Sequence, residues 1–309
     1  MTPSINPNSE IFLSNLQQIE NRMSTAERQL SSGLRVSVAS DDPDEISSIL
    51  QLRAQIAGVQ QTQENLSNVT PQVEAGENAI QQAIQVLDTA TSLATEAVGS
   101  TSTATERLDE ATQVQGILQQ LVSLSQTGMN GQYIFSGDQG GQPQYSLAAD
   151  GNSVQQNFTA GAPPQIADPN GVMITLGLTS QQIFDDQADG SSGSGNPAPD
   201  NVFAAVTGLL SALQNNDVAG IQSALTNLQA ASTHLNDESS VYGAAQNNLT
   251  AAGNTASQTL IQLQTQLSNE QDADAAEASL NLTQATTDEQ AAMSAQAMLK
   301  PQNLFSYLG

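Results

Sequence analysis

The chain of 309 residues is long enough to bury a sizeable core, but aromatics make up only 3% of it and tryptophan is absent, so the core must rest on Ala, Leu, Val and Ile rather than on large rings. With 31 acids against 6 bases the formal net charge is -25, and five scattered arginines plus Lys300 supply no cationic patch for nucleic acid or an anionic membrane surface. The lack of cysteine excludes disulfides, thiolate metal sites and cysteine nucleophiles, and no apolar run approaches the roughly 18 residues of a membrane span.

The first element is a helix with one apolar stripe: Phe12, Leu16, Ile19, Met23, Ala26, Leu30 and Leu34 recur in steps of three and four. Ser32-Gly33 predicts its stop, because glycine enters the left-handed conformation that ends helices without steric cost. A β-branched stretch through Val36 and Val38 follows. In Asp42-Pro43-Asp44-Glu45 the aspartate suits an N-cap, the proline the first helical position, and Glu45 the third position of a capping box.

A second, longer helical pattern runs through Ile49, Leu52, Ile56, Val59, Leu66, Val69 and Val73, then Ile80, Leu87, Ala94 and Val98. Pro71 predicts a kink or short break within it, since proline lacks the amide hydrogen and disfavours helix at Thr70. After a turn over Gly99 to Ala104, a third helix carries Ala111, Val114, Leu118 and Leu121 and ends near Gly128, returning antiparallel to the second.

Between Gly131 and Pro199 glycine and proline are frequent, and the short runs Tyr133 to Phe135 and Val172 to Leu176 predict strands. This β-rich insert closes on the flexible linker Gly190 to Pro197. Helix returns near Asp200 with Val206, Leu209 and Leu213, turns at Asn215-Asn216-Asp217, and continues through Ile221, Leu228, Leu235, Tyr242, Leu249 and Leu260. A final Ala-rich pattern holds Ala278, Leu282, Ala285, Ala292 and Leu299. The expected architecture is mainly α: an elongated helical-bundle and coiled-coil rod built from both ends of the chain, with the small β-rich insert at its distal end. The expected segments are 1–41 and 272–309 in an inner coiled coil, 42–130 and 200–271 in a helical rod domain, and 131–199 as the variable insert.

Catalytic templates are scarce. His234 is the only histidine, so histidine triads and multi-histidine zinc sites cannot be assembled, and it reads as a solvated or packing residue. Of the paired carboxylates, Asp41/Asp42 suit capping and Asp272/Asp274 an exposed helix face. Asp185 to Gly190 lacks the remaining ligands of a calcium loop. No enzyme activity, metal or cofactor is expected. The insert's tyrosines and phenylalanines suit either a core or an exposed platform, which leaves an adhesion or carbohydrate-binding module as a rival function. The strongest feature is the apolar seam, because terminal helices left half-bare need copies of the same chain to cover them, in a helical or ring assembly.

Two stretches bring a family into view. Glu27 to Val36, reading ERQLSSGLRV, followed by Asp41-Asp42-Pro43, resembles the N-terminal signature of bacterial flagellins and their hook-associated relatives. Ala295 to Gly309, with Pro301-Gln302-Asn303-Leu304-Phe305-Ser306-Tyr307-Leu308, is similar to the matching C-terminal region. Within the family, Leu50 to Ile56 and Gly131-Gln132-Tyr133-Ile134-Phe135-Ser136-Gly137 resemble the subunits that join hook to filament more than those of the filament. The resemblance implies a structural adaptor at that junction, with filament flagellin as the alternative. It implies that Phe12, Leu16, Ile19, Met23, Leu30, Leu34, Leu282, Leu299, Leu304 and Phe305 make the assembly contacts, and that Gly33, Asp42 and Pro43 set the connection between domains. It further implies an extracellular place in the flagellum, type III export without a cleaved signal, and three partners besides itself: another hook-associated protein, filament flagellin and an export chaperone. Thr89 to Leu93 stands where many flagellins carry an Arg-rich receptor-binding segment, so innate receptor recognition is not expected.

Overall fold

The structure, a computed structural model, describes residues 7–99, 102–188 and 196–298. Seven α-helices are described: α1 Pro7–Ser32, α2 Ile46–Val98, α3 Ala104–Ser125, α4 Ser180–Phe184, α5 Val202–Gln214, α6 Val218–Gln271 and α7 Ala275–Met298. Compact packing divides the chain into residues 1–58 with 259–309, and residues 59–258. These cuts lie inside α2 and α6; the helix stop and start signals around 41/42 and 271/272 fall within the first unit.

In the first unit α1 packs on α7. The two run antiparallel, since a bridge pairs Leu34 with Asp272, the amide of Arg35 donates to the Gln271 carbonyl at 2.7 Å, and Arg22 meets Asp288 at 2.9 Å. Gly33 adopts φ +72 while its amide still donates to Gln29, the left-handed stop expected after Ser32.

The second unit holds the main apolar core. Ile80, Leu87 and Ala94 of α2, Val114, Leu118 and Leu121 of α3, Val206, Leu209 and Leu213 of α5, and Ile221, Leu228 and Leu235 of α6 are buried together. Alanines at 79, 83, 90, 94 and 97 lie on the same buried side of α2. Helix α2 is unbroken through Pro71, against the predicted break. The proline is exposed, it withholds one ladder bond, and the flanking turns are anchored by buried Leu66 and Val73 and by Thr70, whose hydroxyl donates to the Leu66 carbonyl. At α3, Thr103 and Glu106 form a reciprocal capping box.

Among the described residues the insert region holds three antiparallel hairpins besides α4: β1 Gly128–Met129 with β2 Gln132–Tyr133, β3 Tyr145–Leu147 with β4 Val154–Gln156, and β5 Gln165–Ala167 with β6 Met173–Thr175. Asn130 and Gly131, at φ 52 and 80, make the two-residue turn of the first. Large rings carry more of this region than the composition suggested. Phe135 meets Phe184 edge-on at 6.0 Å, Phe184 stacks on Phe203 at 5.6 Å, and Tyr145 lies 5.3 Å from Phe203. Phe135, Tyr145 and Phe184 are therefore core residues, not a platform.

Candidate assembly surface

The α1–α7 pair is built from a thin apolar seam. Ile19 and Ala26 of α1 are buried, Phe12, Leu16 and Met23 are half-buried, and α7 answers with Ala278 and Ala285 buried and Leu282 half-buried. Amide and hydroxyl side chains line the rest: Asn21, Thr25 and Gln29 face Asn281 and Gln284. Two helices sharing so few buried carbons gain little from each other, at about 25 cal/mol per Å² of apolar area.

Much of the pair's apolar surface points outward instead. Ile11 is 61% exposed, Leu13 56%, Leu280 65% and Met293 56%. None of these belongs to the seam pattern, which selects the face toward the partner helix; the signal for them is an apolar residue recurring off that stripe. Leu30 joins this group at 39% exposure, contrary to its predicted place in the seam: after Ala26 the face toward α7 falls at half-buried Gln29, one position earlier. Leu299, Leu304 and Phe305 lie outside the described residues.

The connection between α1 and α2 is held by charge and backbone bonds. Leu34 is half-buried and Val36 is 2% exposed. Arg35 pairs with Asp42 at 3.2 Å and with Glu45, and donates to the Glu270 carbonyl at 2.5 Å. Hydrogen bonding to Glu45, and less so to Asp42, outweighs burial and raises the guanidinium above its ordinary value. Asp42 accepts from the Glu45 amide at 3.3 Å while Glu45 turns to Arg35, so Asp42 caps without the reciprocal half of the box; Pro43 is exposed in the turn that precedes α2. Asp41 accepts from the amides of Val38 and Ser37, which lowers its carboxyl below the usual range.

Elsewhere the polar groups serve structure. His234 is a packing residue, its ring Nε2–H donating to the Gln182 carbonyl at 2.9 Å, with Asp200 and Glu238 each 3.9 Å from the ring. Asp185 is engaged at both oxygens, by Tyr145 at 2.8 Å and by Asn201 at 2.7 Å; Gly190 lies outside the described residues. Asp274 caps α7 through the amides of Ala276 and Glu277. Among the described residues no group of three or more His, Asp or Glu is placed to hold a metal ion, and no helix is long and apolar enough to cross a membrane.

Glu110 of α3 is 6% exposed, and its Oε2 has no hydrogen-bond partner. Burial, then the nearby Glu96 charge, raises its carboxyl above the usual range. A raised carboxyl contributes stability that is complete below its unfolded value, near 4.3, and lost as pH rises through the folded value. Glu110→Gln is therefore expected to melt above the parent at pH 7, by roughly 2 °C per kcal/mol relieved, with the two melting together near pH 4. Calorimetry across that range checks it; a parent that gains stability from pH 4 to 7 relative to the variant contradicts the assignment.

Comparison with known proteins agrees with this architecture. Residues 4–140 match the family model described as the bacterial flagellin N-terminal helical region, and residues 225–308 the one described as the bacterial flagellin C-terminal helical region. Flagellin B of Helicobacter pylori is 29% identical over 140 residues, covering 44% of this chain and 27% of that protein. A flagellin of Clostridium tyrobutyricum is 28% identical over 174 residues, covering 53% and 46%. The chain thus spans less than half the length of these curated relatives. Among solved structures, flagellar hook-associated protein-3 of Legionella pneumophila matches with a TM-score of 0.60 at 16% identity, covering 72% of this chain and 98% of that one. Xanthomonas campestris FlgL matches with a TM-score of 0.58 at 18% identity, covering 70% and 99%. At these identities the structures speak for the fold.

Proposed function

The chain belongs to the bacterial flagellin family, and from that premise we propose that it is a structural subunit of the flagellum, an adaptor between hook and filament that assembles through α1 and α7. The observation that carries the reading is the outward apolar surface of the α1–α7 pair, Ile11, Leu13, Leu280 and Met293, on two helices that bury little against each other. Neighbouring subunits cover that surface. Seam residues Phe12, Leu16, Ile19, Met23, Leu34 and Leu282 hold the pair together, and Leu30 turns to the neighbour. Gly33, Asp42 and Pro43 set the connection into α2. The partners are further copies, another hook-associated protein on the hook side and flagellin on the filament side, after export with a chaperone on the terminal helices.

The junction is preferred to the filament because the segment Gly131 to Gly137 resembles junction subunits and because solved structures sharing this fold, from Vibrio parahaemolyticus and Legionella pneumophila, are named as hook-associated proteins. The filament reading is favoured by one observation, that the curated relatives are flagellins. Immunogold labelling of flagella from the source bacterium separates the two. Label confined to the boundary of hook and filament is expected; label along the whole filament makes the chain a filament subunit, and no label overturns both.

A further inference from the structure

Five arginines serve a chain of net charge -25, and four of them are committed inside it. Arg22 pairs with Asp288 at 2.9 Å, Arg28 with Asp41 at 3.6 Å and Arg35 with Asp42 and Glu45. Arg107, 8% exposed, donates to the Ala97 carbonyl and to Asn216. Arg53 differs. It is exposed on α2, and among the described residues it is the one arginine with no ion pair or hydrogen bond. Its position is not arbitrary, because the helix buries Ile49 and Leu52 on one side. On the opposite side Leu50 is 58% exposed, and Ala54 and Ala57 are exposed with it at i+4 and i+7, so Arg53, at i+3, stands at the edge of a smooth apolar stripe.

Resting on the self-assembly reading above, we propose that Arg53 and the Leu50 stripe form a contact with a second copy of this chain, in which the Arg53 guanidinium receives a carboxylate of that copy. Charge complementarity selects the occupant. Any copy arriving at this face presents carboxylates with few cations among them, since from Leu108 to Leu299 there is no lysine or arginine. Close approach of two such surfaces is opposed by repulsion, and a free cation beside an apolar stripe is where that repulsion reverses sign. Solubility does not account for Arg53, because one cation in so acidic a chain lowers the net charge that keeps copies apart. Intrachain stability does not account for it either, since it has no ion pair or hydrogen bond among the described residues of its own chain. Guanidinium geometry suits the role: it grips a carboxylate with two parallel bonds and sheds water more readily than an ammonium.

Arg53→Lys keeps the cation and adds an amine to a chain whose one native lysine is Lys300. Full-length variant protein, expressed in the source bacterium in place of the parent, is cross-linked with a zero-length carbodiimide in isolated flagella. The expected result is a species of twice the subunit mass in which mass spectrometry finds the introduced lysine joined to an Asp or Glu of a second copy. An introduced lysine joined to a different flagellar protein, joined only within its own chain, or unjoined in incorporated subunits overturns the proposal and leaves the adaptor reading standing. A parent chain absent from the flagella overturns both. In parallel, Arg53→Gln is expected to keep the parent's helix content and Tm while its incorporation falls at least tenfold. Incorporation equal to the parent's overturns the contact.

Discussion

Tyr242→Ala is expected to destabilise the unit of residues 59–258 by about 3–5 kcal/mol, the cost of emptying a large buried aromatic site. The side chain is 3% exposed on α6, its ring meets Phe135 edge-on at 6.4 Å, and its hydroxyl accepts from the Leu178 amide at 3.1 Å. It thereby ties the long helix to the segment that follows β6. The ring lies directly on two glycines, so that a Cβ added at Gly76 or Gly177 would overlap it. Tyr242→Phe keeps the packing but leaves the Leu178 amide without its acceptor, at about 1–2 kcal/mol. Gly76→Ala is expected to destabilise the parent and to cost far less in the Tyr242→Ala background, where the methyl group enters the vacated space. Denaturant unfolding followed by circular dichroism measures all four, and strictly additive effects would show that Gly76 does not yield space to this ring.

The second large effect concerns assembly rather than folding. Leu280→Glu with Met293→Glu is expected to leave the subunit folded and to reduce its incorporation into flagella more than tenfold. Both side chains are more than half exposed on α7, so in the free subunit the carboxylates remain hydrated. Once a neighbour covers them, each becomes a buried charge facing an already acidic chain, and a buried unpaired charge costs several kcal/mol. Leu280→Gln with Met293→Gln separates charge from lost apolar contact, since it removes the contact alone. Incorporation of the double Glu variant at the parent's level, measured by immunoblot of sheared flagella, would remove the outward surface of α7 from the interface.

The helices were readable because their signals are local. A stripe such as Ile19, Met23 and Ala26 lies within two turns of one helix, and Gly33 marks a stop wherever it falls. The same locality explains the failures. Pro71 predicts a break if only its own missing amide is weighed, yet burial of Leu66 and Val73 on either side outweighs one lost bond. Leu30 satisfies the spacing but faces outward, because which of Gln29 and Leu30 meets α7 depends on where the partner helix passes. The Arg35 site was invisible for a related reason: its carbonyl partner, Glu270, lies on a distant part of the chain.

From its own order of residues this chain determined its elements, its acidic and cysteine-free character, and the two end segments that resemble one family. Those properties are set between residues no more than a few turns apart, where helix periodicity and capping operate. Only the tertiary structure decided that Phe135, Tyr145, Phe184, Phe203 and Tyr242 share one core, that Arg22 pairs with Asp288 while Arg53 has no partner among the described residues, and which apolar side chains of α1 and α7 stay uncovered. Those outcomes depend on which distant surfaces bury each other, and burial is a property of the packed pair rather than of either segment.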